Sequence, residues 1–136
     1  MKKIILSIAI IIAVIIGCKT NSSNGVSNKL NVTFEPKSNS NVNGFGVFIE
    51  KNSQVTFTAN FKGLKPGIHA IHIHEKSDCT AADGSSAGGH WNPTAQPHGK
   101  WGAEEGYHKG DIGNFTVEAD GLGAIKMMTD EWCIGC

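Results

Sequence analysis

An almost unbroken apolar run, Ile4–Ile16, opens the chain behind Lys2 and Lys3. Its 13 residues fall short of a bilayer-crossing helix, which needs about 20 apolar residues. A positive start followed by a short apolar stretch is instead the order of a secretory leader. Polar positions then dominate Lys19–Lys29, where Val26 is the one sizeable apolar residue, so this stretch reads as a flexible tether. From Leu30 strict alternation takes over. Leu30, Val32 and Phe34 alternate with polar residues as far as Pro36, which suits an edge strand. Phe45–Ile49 and Val55–Phe61 come next, the second placing Val55, Phe57, Ala59 and Phe61 on one face, with residues 51–54 between them as a hairpin turn. Ile68–His74, Ile112–Ala119 and Leu122–Met128 are three further strands, the last two joined at Asp120-Gly121. Between Glu75 and Gly110 periodicity stops for 36 residues. A structureless stretch of that length in a compact domain is either functional or disordered. No helix is expected after the leader, so the fold class is all-β, an antiparallel sandwich or barrel.

The leader ends at Ile15-Ile16-Gly17-Cys18, which resembles the bacterial lipoprotein box, in which a Cys is lipidated and becomes the new N-terminus. The expected organisation is a leader at residues 1–17, a lipidated tether at 18–29 and a folded domain at 30–136. Lipid on Cys18 would anchor the protein without a membrane span. The expected location is the bacterial cell envelope, on the periplasmic or cell-surface side. Charge narrows the partners. The chain has 12 Lys, no Arg and 12 acidic residues, a balance that argues against nucleic acid, whose binders carry a basic excess. Losing Lys2 and Lys3 with the leader leaves 10 Lys against those 12 acids, a net charge of −2.

The candidate chemistry sits where periodicity fails. All six His fall between positions 69 and 108. His72 and His74, two apart on a strand, share a face and form a natural pair of metal ligands. His69 has the opposite parity and reads as a hydrogen-bonded core histidine. The long loop adds His90, His98, His108 and Asp111. A three-His, one-Asp set can close a four-coordinate zinc site, and zinc would supply the ordering energy that the Gly-rich loop lacks in apolar surface. A binuclear zinc hydrolase is set aside, because Lys76 stands where that class needs an Asp two residues after the second His.

Three segments together make a resemblance specific: Gly67-Ile-His69-Ala-Ile-His72-Ile-His74-Glu75, then Ser86-Ala-Gly-Gly-His90-Trp-Asn-Pro93 with His98-Gly99, then His108-Lys-Gly-Asp111-Ile-Gly-Asn114. In order, spacing and context they resemble the copper/zinc superoxide dismutases over roughly Leu30 to Met128. The resemblance implies an antiparallel Greek-key barrel, incomplete at the C-terminus, with about six of eight strands present. It implies copper held by His72, His74 and His90, and zinc held by His90, His98, His108 and Asp111, so that His90 bridges the two metals. The implied substrate is superoxide anion, and the implied reaction turns two superoxide anions and two protons into oxygen and hydrogen peroxide. Cys79 matches the family's loop cysteine, which is tied by a disulfide to the barrel near the C-terminus. A homodimer stays open as an assembly.

The sequence also departs from the family. It stops at Glu131-Trp-Cys133-Ile-Gly-Cys136, before the family's remaining strands, fourth copper His, partner cysteine for Cys79 and channel Arg. Three imidazoles suit Cu⁺ better than Cu²⁺, which prefers a tetragonal set of four. Only Lys100 or Lys109 would help attract an anion locally. Slow disproportionation by this chain is therefore expected, and a catalytically weak copper- and zinc-holding envelope lipoprotein is the alternative reading. The spacing of Cys79, Cys133 and Cys136 leaves their pairing open.

Overall fold

The computed structural model describes residues 27–136. The expected leader, Cys18 and most of the tether lie outside the described residues. Six strands follow in order: β1 (Asn28–Phe34), β2 (Asn43–Lys51), β3 (Gln54–Lys62), β4 (Gly67–Ile71), β5 (Gly113–Val117) and β6 (Gly123–Thr129). They form one antiparallel sheet in the order β1-β2-β3-β6-β5-β4. The half that runs β3-β6-β5-β4 has Greek-key order, since three consecutive strands lie side by side and β3 returns beside the last of them. The all-β, partial Greek-key expectation therefore holds.

Local chemistry explains the elements. In β3 the alternation is complete: Val55, Phe57, Ala59 and Phe61 are all buried while Gln54, Thr58, Asn60 and Lys62 are exposed. Asn52 and Ser53 join β2 to β3 with φ of 52° and 59°, the left-handed pair that lets a two-residue turn match the twist of its strands. β1 begins at Asn28, two residues before the first apolar position of its pattern. The inner face carries the core, where Phe48 stacks on Phe57 at 4.4 Å and Phe61 on Phe115 at 5.1 Å. Ile112, Val117 and Trp132 complete it.

Two expectations need correction. The fourth strand was expected to run Ile68–His74, but it ends at Ile71. His72 and Ile73 lie outside it, and His74 makes a single bridge to His90. The reason is competition for backbone partners. The Ile73 N–H donates to the Gly110 carbonyl, and its carbonyl accepts from Trp91 N–H, so the chain leaves the sheet for the loop. The loop itself contains one short helical element, a 3₁₀ turn at Ser85–Ala87.

Candidate metal centre

Three backbone strands of irregular chain meet at one junction. Ile73 N–H donates to Gly110 O at 2.9 Å, Trp91 N–H to Ile73 O at 2.8 Å and Gly110 N–H to Trp91 O at 2.9 Å. A side chain at Gly110 would strike the Ile73 carbonyl and crowd Trp91 N at 3.0 Å, so this close approach requires glycine. The junction sets His72 and His74 on either side of Ile73, His90 beside Trp91, and His108 and Asp111 on either side of the Lys109-Gly110 pair. Residues far apart in sequence thus converge without regular structure of their own.

Asp111 is the centre of the arrangement and is 2% exposed. Its Oδ1 lies 2.7 Å from His90 Nδ1, 3.1 Å from His98 Nδ1 and 3.5 Å from His108 Nδ1. Its Oδ2 accepts the backbone N–H groups of His108 at 2.9 Å and Gly99 at 3.3 Å. Burial pushes the carboxyl up, but the N–H groups of His108 and Gly99 and the His90 ring outweigh it and bring the group to about 2. Asp111 is therefore ionised at neutral pH, as a metal ligand must be.

The donor chemistry fits a cation. His108 Nδ1 is buried and has no hydrogen-bond partner, a costly state for an imidazole nitrogen unless it gains a partner. Three imidazole nitrogens and one carboxylate oxygen turned toward one point are the donor types and number of a closed zinc site. A second, overlapping group also exists: one donor atom each from His72, His90, His98 and Asp111 lie within 4.8 Å of one another. The two groups differ in His108 against His72. The His72 ring lies nearly flat on His90, with centroids 3.9 Å apart and planes at 18°. Burial first, then the His90 imidazole, holds the His72 pKa below its ordinary value, so the ring is neutral near pH 7.

His74 stands apart from both groups. Its Nδ1 lies 2.9 Å from Gly88 O, which fixes the ring and leaves Nε2 free. Its ring meets His90 edge-on at 5.4 Å. Of the three imidazoles expected for copper, His72 and His90 share a cluster and His74 lies outside it, against the edge of the His90 ring. His69 is half-buried, with Nε2 2.7 Å from Lys65 O, and its ring packs 6.0 Å from Phe115. It keeps to the core face, as its parity implies. Cys133 and Cys136 are disulfide-bonded to each other, while the Cys79 thiol is exposed and free among the described residues. A 590 Å³ cleft beside the cluster is lined by His72, His98, Lys100, Trp101 and Asn114. Lys109 is turned away from it into an ion pair with Glu131.

Gly88 and Gly99 stand within the family-like segments, but their roles were not read there: the Gly88 carbonyl orients His74 and the Gly99 N–H supports Asp111. Both act through their backbones, so residue type carries no signal of the role. Residues 42–134 match the family model described as copper/zinc superoxide dismutase. A relative described as extracellular superoxide dismutase [Cu-Zn], from Brugia pahangi, is 40% identical over 89 residues, 65% of this chain. The chain spans 44% of that relative's length.

Proposed function

The chain belongs to the copper/zinc superoxide dismutase family, and from that premise we propose that it is an exported protein that disproportionates superoxide at a copper centre bridged to zinc. The observation that carries the proposal is the convergence of His90, His98 and His108 on one oxygen of Asp111. These four residues would hold zinc. His108 supplies the fourth position rather than His72, because its buried Nδ1 is the nitrogen that lacks a partner. Bound there, zinc supplies charge and rigidity and no redox change.

The residues around it do the rest. Asp111 remains ionised and accepts two backbone N–H groups, so its position is set before metal arrives. His90, with Nδ1 turned to Asp111, would give that nitrogen to zinc and leave the other for copper. His72 and His74 flank it, one against its face and one against its edge. Lys100, at the lip of the cleft, offers local attraction to an anion. Export rests on the Lys-Lys and apolar-run order of the leader, and an anchor in the bacterial envelope rests on the Ile-Ile-Gly-Cys18 box. The relative from Brugia pahangi is described as extracellular, which agrees with export.

A second reading, a copper- and zinc-holding protein with weak turnover, is favoured by one observation: His74 stays outside the cluster that His72 and His90 share. One experiment separates the two. The chain is loaded with zinc and then copper, metal content is verified, and superoxide decay is followed per bound copper. Decay that scales with copper and falls in His74→Ala supports the enzyme. Decay no faster than in the zinc-only protein refutes it and leaves the binding reading.

A further inference from the structure

Glu131, Trp132, Cys133 and Cys136 in the stretch after β6 have no part in either ligand set, yet Glu131 and Trp132 grip both neighbours of His108. Tyr107 Oη donates to Glu131 Oε1 at 2.6 Å, and Lys109 Nζ pairs with Glu131 Oε2. Trp132 Nε1 donates to the Lys109 carbonyl at 2.9 Å. We propose that this tail is a clamp that positions the zinc ligand His108, with the Cys133–Cys136 disulfide as its redox-sensitive latch. The proposal deepens the zinc reading above and rests on it.

The need for a clamp follows from the loop. Tyr107, His108 and Lys109 sit between Gly106, at φ 115°, and Gly110, so the backbone on either side resists bending little. On one side the Gly110 junction fixes this triplet. On the other side the tail fixes it. Trp132 is 6% exposed and wedged between Phe48 at 5.9 Å and Trp101 at 5.5 Å. Its indole N–H thereby ties the Lys109 carbonyl to the apolar core. Trp101 in turn packs on Tyr107 at 5.0 Å. Glu131 answers Tyr107 and Lys109 together with its two oxygens. His108 is thus held from both sides with its Nδ1 aimed at Asp111.

The disulfide closes a ring that starts one residue after Trp132. Ile134 N–H donates to Glu50 Oε2 at 3.0 Å, so the closed ring is docked on β2. Both cysteines are exposed and open to a dithiol reductant. In that exchange the reductant's two thiols become its own disulfide, and two electrons with two protons pass to the sulfurs of Cys133 and Cys136. The opened ring regains backbone freedom, and the grip of the adjoining Glu131 and Trp132 on Lys109 loosens. Outer partners of metal ligands are worth about 10–100-fold in metal affinity, which sets the scale expected here.

The test uses the whole chain and six variants: Glu131→Gln, Trp132→Phe, Cys133→Ser with Cys136→Ser as the reduced form, Glu131→Lys, Lys109→Glu with Glu131→Lys, and Lys126→Gln on β6 as control. Zinc dissociation constants are measured by chelator competition. The visible spectrum of the cobalt-loaded protein reports the geometry of the ligand set, and thermal unfolding of the metal-free protein reports stability alone. The clamp predicts zinc binding weakened about 10–100-fold in the first two variants, a smaller loss in the double-Ser variant, and a shifted cobalt spectrum in all three. Exchanging the charges, Lys109→Glu with Glu131→Lys, recovers part of the loss caused by Glu131→Lys alone. Unchanged zinc affinity and cobalt spectrum, with only metal-free stability reduced, overturn the clamp. Failure of the unaltered chain to bind zinc overturns the zinc reading itself, so the two failures are distinct.

Discussion

Replacing His108 and His72 one at a time distinguishes the two overlapping ligand groups. His90, His98 and Asp111 are common to both, so the fourth position decides which group holds zinc. The structural zinc sites of small domains bind with about 10–16 kcal/mol at neutral pH. Shared over four ligands, that is about 3 kcal/mol each, or about 100-fold in a dissociation constant. His108→Ala removes the nitrogen 3.5 Å from Asp111 Oδ1 and is expected to weaken zinc by about that factor. His72→Ala removes a ring stacked on the face of His90 and is expected to change zinc affinity by less than about threefold, the scatter of a single contact. Folding should survive both changes, since each leaves the β3 core and the Gly110 junction untouched. The assay is competition with a chromophoric chelator at fixed pH and ionic strength, after circular dichroism has established that each variant is folded. If His72→Ala proves as damaging as His108→Ala, the division into a zinc set and a copper set is wrong. If only His72→Ala is damaging, the cluster of His72, His90, His98 and Asp111 is the zinc site.

Zinc should also protect the loop: limited proteolysis within residues 75–110 is expected to slow when zinc is added, and equal cutting rates with and without zinc would refute metal ordering. Gly110→Ala puts a methyl group against the Ile73 carbonyl and Trp91, and should cost about 1–3 kcal/mol in thermal unfolding, the range for overpacking, together with loss of tight zinc binding. A melting temperature matching that of the unaltered protein would show that the junction can open without penalty. Phe57→Ala, at a residue 1% exposed, should destabilise by about 3–5 kcal/mol in denaturant unfolding. Cys18→Ala should move the expressed protein from membrane to soluble fractions, and equal partitioning of the two forms would remove the lipid anchor from the account.

The strands were legible in the sequence because burial there follows the pleat. Val55, Phe57, Ala59 and Phe61 face one way in sequence and are all buried in the fold. The turn at Asn52 and Ser53 was legible as well, since both are common turn residues and alternation resumes on either side. The end of β4 was not legible. Alternation continues through His72 and His74, but the backbone of Ile73 is claimed by Gly110 and Trp91, and no side-chain pattern records that competition. The residues that converge on Asp111 could be named from sequence, because all six His cluster between positions 69 and 108. The separation of His74 from His72 and His90 could not, since it depends on where the Gly88 carbonyl holds the His74 ring. Spacing also left the cysteines open, and only the folded path of the tail pairs Cys133 with Cys136. The tail's hold on Tyr107 and Lys109 joins residues more than 20 positions apart through a glutamate and an indole, neither of which stands out in sequence.

The central claim is that His90, His98, His108 and Asp111 together hold zinc. X-ray absorption at the zinc edge of the zinc-loaded chain tests it most directly. The account predicts four scatterers, three imidazole nitrogens and one carboxylate oxygen, at about 2.0–2.2 Å, with one nitrogen replaced by a water oxygen in His108→Ala and all four retained in His72→Ala. A shell of water oxygens in the unaltered chain, or a nitrogen lost in His72→Ala but not in His108→Ala, would contradict it.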